Sequence, residues 1–331
     1  MDQPLPHTHV HGVIEPALLS SRKGMKAVSW SFLVLMLTAV FQIIIVLYSG
    51  SVALLADTVH NFGDALTAIP LFFAFWLSLR PPSERYTYGL GRAEDLAGLF
   101  IVAIIAITGL YAGYESILRF LYPQEVTGLW AIGLAGLAGF MGNELVARYR
   151  MRVGREIGSA ALIADGQHAR VDGLTSLAVL VSAIAITLGF PAADSLIGLG
   201  ISAAILVIAW NSGTTVVSRI LDGVDPELVR EIRQAVMHVP GIIRITDVRV
   251  RWLGHRVLTE LNITVDPDLS VEEGHRIAME ARHELLFHIP YLSQATIHID
   301  PASASGEDWH CTNDTTPECH EQDHERKKNR D

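Results

Sequence analysis

Cysteine is nearly absent from this chain. Cys311 and Cys319 are its only two, both in a polar C-terminal tail, so disulfides do not hold the fold together. An excess of positive charge is absent too. The formal net charge is −10, and much of the acid lies in the C-terminal third, which argues against nucleic acid as a partner. No H-E-x-x-H segment occurs. Only His60 and His168 fall in the apolar part, too few for a histidine-rich di-iron site. No charged, short-apolar, cleavable pattern follows Met1, so no removable signal peptide is expected.

What the chain does have is long apolar runs, from about Ala27 to Val217. A membrane-spanning helix needs about 20 mostly apolar residues. Six candidate spans meet this, near 27–48, 51–78, 94–120, 127–147, 158–189 and 193–217. Arg22, Lys23 and Lys26 precede the first. Arg80, Arg85 and Arg92 lie between the second and third, and Arg148, Arg150, Arg152 and Arg155 between the fourth and fifth. Arg219 follows the sixth. The remaining loops, near Ser49, Gln124 and Pro191, carry no Lys or Arg. By the positive-inside rule both termini are cytoplasmic. The expectation is a multi-pass integral protein of the cytoplasmic (inner or plasma) membrane, surrounded by lipid. It divides into a polar N-terminal segment (1–25), a six-helix transmembrane domain (26–220), a cytoplasmic domain (221–301) and a disordered polar tail (302–331).

The cytoplasmic domain reads as αββαβ. Residues 226–238 carry apolar side chains at a helical period, with Asp225 as N-cap and Pro226 in the first turn. Residues 242–252 and 257–265 alternate as half-buried strands do, around a Gly254-His255 hairpin turn. Residues 270–287 form a second helix, opened by a Ser270/Glu273 capping box, and 295–299 form a last strand. The fold class is therefore an α-helical membrane protein with six transmembrane helices, plus a C-terminal cytoplasmic α+β domain of αββαβ, ferredoxin-like order.

One pattern occurs twice. LLADTVHNFGDALTAI begins at Leu54 and LIADGQHARVDGLTSL at Leu162, 108 residues later; both contain A-D-x-x-H-x-x-x-D-x-L-T. Residues four apart share a helix face, so His60 sits over Asp64 and His168 over Asp172. Asp57 and Asp165 continue the same stripes, as groups beside the site or along the ion path. Intramembrane ionisable groups are costly and mark ion or proton paths. The second span runs inward and the fifth outward, so the motifs are antiparallel, an inverted repeat. His60 lies ~14 Å from one face and His168 ~15 Å from the other, near the middle of a ~30 Å core.

Two imidazoles and two carboxylates suit Zn²⁺ and admit Co²⁺, Cd²⁺, Fe²⁺ or Ni²⁺; Mg²⁺ and Ca²⁺ prefer all-oxygen sites. Two carboxylates, two neutral imidazoles and a divalent ion sum to zero charge, the cheapest state in low dielectric. Without metal the same groups tend to take up protons, which metal binding releases. Exchange of metal for protons is thus a physical expectation, with no organic cofactor.

On these residues, and on Tyr86-Thr87-Tyr88-Gly89-Leu90-Gly91-Arg92-Ala93-Glu94 and Thr296-Ile297-His298-Ile299-Asp300, the chain resembles the cation diffusion facilitator family over about residues 25–301. The resemblance implies a homodimer that exports zinc or a similar ion by proton antiport. It assigns the tetrahedral transport site to His60, Asp64, His168 and Asp172, with a zinc-type preference over manganese. Some relatives hold a metal site in the loop after the second span; residues 80–92 here contain no His. Others hold a two-metal cytoplasmic cluster of four His and an Asp. His275, His298 and Asp300 match it, while Thr246 and Asn262 stand where two further His are expected, which leaves a reduced, regulatory site.

Weaker signals remain. His7, His9 and His11 alternate near the N-terminus, and His310-Cys311 and Cys319-His320, with His324, could capture metal in the tail. His255 lies in a turn and His238 ends a helix, where a cation is favoured for ordinary reasons; His283 and His288 read as surface residues, and Glu94-Asp95 and Asn143-Glu144 as helix-end or interface groups. The rival functions are a membrane-anchored metal sensor and a membrane metalloenzyme.

Overall fold

The computed structural model describes residues 16–49, 62, 68–122, 129–188, 190 and 193–304. His7, His9, His11, Asp57, His60, Asp64 and the tail cysteines and histidines lie outside the described residues. The chain divides into two units. One comprises residues up to Leu221 together with Leu253–Arg256; the other comprises Asp222–Trp252 and the residues from Val257 on.

The first unit is helical. Its helices are α1 (Pro16–Ser49), α2 (Ala68–Ser78), α3 (Arg92–Leu121), α4 (Leu129–Ile157), α5 (Ala160–Thr187) and α6 (Ala193–Ile220). Among the described residues three are long and apolar enough to cross a membrane: α1 over Leu18–Ile45, α3 over its whole length, and α6 over Ser195–Ile220. The described part of α2 is apolar but only 11 residues long. α4 and α5 have the length, 29 and 28 residues. Their apolar character is diluted by Glu144 and four arginines on α4, and by Asp165, His168, Arg170 and Asp172 on α5.

Two boundaries differ from expectation. α1 begins at Pro16, so the polar N-terminal segment is partly helical. α4 continues to Ile157, ten residues beyond the expected end at 147. Nothing in 148–157 breaks a helix, and arginine is a good helix former. The stop is Gly158, which takes φ 75° while Ser159 N donates to Gly154 O at 2.8 Å, a Schellman closure. Arg148, Arg150, Arg152 and Arg155 are therefore helical residues, not loop residues.

The core of this unit is apolar, with Leu71, Phe75, Ile101, Ile105, Leu162 and Ile205 fully buried. Small residues let the helices approach closely. A Cβ on Gly166 of α5 would lie 3.0 Å from the Met151 backbone of α4, and one on Gly136 of α4 would lie 2.8 Å from Ser176 O. Ser202 Oγ of α6 donates to Gly109 O of α3 at 2.8 Å.

The second unit follows the expected order: α7 (Pro226–Met237), β1 (Arg244–Leu253), β2 (Arg256–Val265), α8 (Val271–His288) and β3 (Leu292–Pro301). The strands lie in the order β1-β2-β3, with β3 parallel to β2 through the α8 crossover. Ile232, Val236, Leu261, Ile263, Ile277, Ala281 and Leu285 pack the helices against the sheet. Asp225 caps α7 by accepting from Glu227 N at 2.9 Å. Ser270 and Glu273 form the capping box of α8. Hydrogen bonds from the Ser270 hydroxyl and backbone N–H hold the Glu273 carboxyl below its ordinary range.

Candidate metal centre and the family it belongs to

α5 carries the second copy of the repeated motif, and its helix geometry places the ionisable residues inward. His168 is 2% exposed and Asp172 4%. His168 Nδ1 lies 3.8 Å from Asp172 Oδ1. Two ligands on a tetrahedral Zn²⁺ with bonds of about 2.0–2.2 Å stand about 3.3–3.5 Å apart, so a closure of a few tenths of an ångström brings this pair onto one ion. The flanks of the pair are fixed from both sides. Ser212 of α6 donates its hydroxyl to Gln167 Oε1. Buried Asn143 of α4 packs where a Cβ on Gly173 would come within 3.2 Å of its own Cβ.

Asp165, on the same stripe, has a partner that sequence reading did not supply. Arg150 Nη1 of α4 lies 2.9 Å from Asp165 Oδ2, with side chains 1% and 0% exposed. Arg150 is among the largest fully buried side chains of the chain. Its Nε and Nη2 have no hydrogen-bond partner among the described residues. Counted as a loop charge, Arg150 is easily missed. The signal was the stripe of buried residues Gly139, Asn143, Val146, Ala147, Arg150, Val153 and Ile157, which recur at a helical period.

A second buried polar cluster lies at the start of α3. His255 Nδ1 is 2.7 Å from Glu94 Oε2, and its Nε2 is 3.3 Å from Ser21 Oγ of α1. As a neutral imidazole it donates to the carboxylate and accepts from the hydroxyl. Glu94 Oε1 accepts from Ser159 Oγ. Ser159 is in turn the N-cap of α5, accepting from Leu162 N at 3.0 Å. Gly254 N donates to Asp95 Oδ2 at 3.1 Å. A Cβ on Gly91 would meet Leu253 O at 3.0 Å, so only glycine lets this turn approach. Arg92 donates to the Arg219 and Ile220 carbonyls at 3.1 Å each, capping α6. The Gly91-Arg92-Ala93-Glu94 stretch is thus a joint between helices. His255, read as an ordinary turn residue, is 2% exposed. Replacing His255 with Ala is expected to cost about 1.5–3 kcal/mol, because Glu94 keeps its burial and loses a charge-assisted bond. Thermal unfolding of the full chain measures it, and His255→Gln should recover part of the loss.

In the second unit, His298 Nε2 and Asp300 Oδ1 are 3.0 Å apart. Asn262 pairs with His298 across β2–β3, and Thr246 Oγ1 donates to Asn262 O at 3.3 Å. Thr246, Asn262 and His298 therefore form one row across the three strands. His275 is exposed on α8. Among the described residues of one chain, no three His, Cys, Asp or Glu side chains gather as metal ligands.

The model of the cation efflux transmembrane domain matches residues 28–221. The chain belongs to the cation efflux family. The model of the cation efflux protein cytoplasmic domain matches residues 224–302. A probable cation efflux system protein of Mycobacterium tuberculosis is 52% identical over 298 residues, 90% of each chain. The magnetosome protein MamB of Paramagnetospirillum magneticum is 29% identical, over 85% of this chain and 95% of its own. The manganese efflux system protein MneP of Bacillus subtilis is 27% identical, over 77% of this chain and 88% of its own. As a cation efflux protein, the chain is an integral membrane transporter of metal cations rather than an enzyme.

Proposed function

We propose that this chain expels a divalent transition-metal ion, with Zn²⁺ as first choice, from the cytoplasm in exchange for protons. The observation that carries the reading is the buried His168-x-x-x-Asp172 pair on α5, present a second time in the sequence as His60-x-x-x-Asp64. Nitrogen and oxygen donors without thiolate favour zinc and its neighbours over Mg²⁺ and Ca²⁺. Cd²⁺, Co²⁺ and Fe²⁺ fit the same donor set. The manganese named for the Bacillus subtilis relative is the main competitor, and imidazole donors weigh against it here.

In this reading six spans cross the membrane with both termini cytoplasmic, and two copies of the chain associate. His60, Asp64, His168 and Asp172 close around one ion near the midplane, from opposed helices. The four groups release protons as the ion enters and take them up again as it leaves, because an uncompensated charge is costly in low dielectric. Alternation between inward-open and outward-open states lets one site serve both faces. His298 and Asp300, with His275, are proposed as a reduced cytoplasmic site that senses the same ion. Asp57 is proposed for the approach to the transport site.

Proteoliposomes containing the full chain should accumulate Zn²⁺ and alkalinise their lumen as protons leave in exchange. Competition by Cd²⁺, Co²⁺, Fe²⁺ and Mn²⁺ ranks the ions, with Mn²⁺ expected last. Flux indifferent to a pH gradient would remove the proton coupling, and no flux at all would favour a sensor or a metalloenzyme.

A further inference from the structure

A cavity of about 480 Å³ opens between α1 and α4, lined among others by Trp30, Ser31 and Val34 of α1 and Arg148, Tyr149 and Arg152 of α4. The two helices run antiparallel here: Gly142 of α4 packs on Thr38 of α1, and Gly139 on Gln42. Arg152 therefore lies toward the end of α1 that carries Arg22, Lys23 and Lys26, and Val34 lies deeper. The cavity is graded, cationic at one end and apolar at the other.

Charge at the cationic end is only partly neutralised, with Lys23 paired to Glu156. Glu144 is shared between Arg148 at 2.7 Å and Arg170 at 3.0 Å. Arg152 is exposed and makes no ion pair among the described residues. One side chain on the wall also lacks a partner. Ser31 is 1% exposed, and its Oγ has no hydrogen bond among the described residues. Its neighbours on α1 behave otherwise: Ser29 donates to Met25 O at 2.9 Å and Thr38 to Val34 O at 3.0 Å, each one turn back. Trp30 and Tyr149 flank the opening, the residue types that sit at the headgroup level of a bilayer.

We propose that this cavity binds one anionic phospholipid. Its phosphodiester lies between Arg148 and Arg152, an oxygen of its glycerol-ester region accepts from Ser31 Oγ, and an acyl chain runs along Val34 and the Trp30 ring. Basic pockets between transmembrane helices take such headgroups. A free phosphate could use the arginines but would leave the apolar wall and Ser31 without a partner.

The test uses the full chain purified in detergent and stripped of lipid. Dioleoyl phosphatidylglycerol, dioleoyl phosphatidylcholine and inorganic phosphate are added separately, and retained lipid is counted by native mass spectrometry. One phosphatidylglycerol per chain is expected to stay bound and raise the unfolding temperature, with neither control doing so. Arg152→Gln should weaken retention roughly fivefold, the share of one basic residue near a phosphate. Because Arg152 is exposed and makes no ion pair among the described residues, this variant is expected to fold normally. Ser31→Leu fills the cavity, leaves both arginines in place, and should expel the lipid. Equal retention of phosphatidylcholine, competition by inorganic phosphate, or undiminished phosphatidylglycerol on both variants would overturn the proposal.

Discussion

Asp172→Ala is expected to reduce Zn²⁺ flux in proteoliposomes more than 100-fold while shifting the unfolding temperature little. The lower bound follows from metal sites generally, where removing even a supporting group costs 10–100-fold in affinity or activity. Asp172 is proposed as a direct ligand, so its loss removes both a donor and half of the charge that offsets a divalent ion. Asp172→Asn separates the two effects. The amide keeps an oxygen donor but leaves one positive charge uncompensated in a buried site, and should transport almost as poorly as the alanine variant. His168→Ala should match Asp172→Ala, and the double variant should be no worse than either alone, because groups that act as one unit are not additive. Asp64→Ala and His60→Ala are expected to behave alike. Zn²⁺ flux at the wild-type rate in Asp172→Ala would remove the site assignment outright.

Arg150→Met should destabilise the folded chain by about 3–5 kcal/mol, the usual cost of leaving one partner of a buried ion pair alone. Arg150 lies 2.9 Å from Asp165, and neither side chain is more than 1% exposed. Among the described residues the pair is poorly supported, since Arg150 Nε and Nη2 find no hydrogen-bond partner there. Replacing both partners with apolar residues should therefore recover most or all of the loss, because a buried pair often contributes little net stability. Thermal unfolding of Arg150→Met, Asp165→Leu and the double variant closes the cycle. Flux through the double variant then assigns Asp165. If Asp165 acts as the partner of Arg150, flux survives within a few fold; if it binds the moving ion, flux falls as it does in Asp172→Ala.

The sequence made some of this readable and hid the rest, for physical reasons. The H-x-x-x-D spacing needs only helix geometry, and the structure buries His168 and Asp172 on one face of α5. The αββαβ order was readable because alternation, Pro226 and the Ser270/Glu273 box are local signals. Arg150 was obscured because a basic residue near a span end is usually a topology marker, and the stripe that buries it crosses that end. His255 had no local signal. Its partners Glu94 and Ser21 are 161 and 234 residues away in sequence, and a Gly-His turn looks the same whether it is wet or buried. The copy of the motif at His60 and Asp64 lies outside the described residues, so its side of the centre stands on the repeat alone.

The first unit is discontinuous, since it includes Leu253–Arg256. That has a consequence for biosynthesis. Ser21 and Glu94 leave the ribosome long before His255 does. At 5–20 residues per second, Ser21 waits roughly 12–47 s for a residue 234 positions downstream. For the last 161 of those residues the Glu94 carboxylate lacks the His255 imidazole. The helical unit therefore cannot reach its final state during its own synthesis. A nascent chain stalled, or a gene fragment ended, at residue 221 would hold every helix of this unit and still lack the turn that completes it.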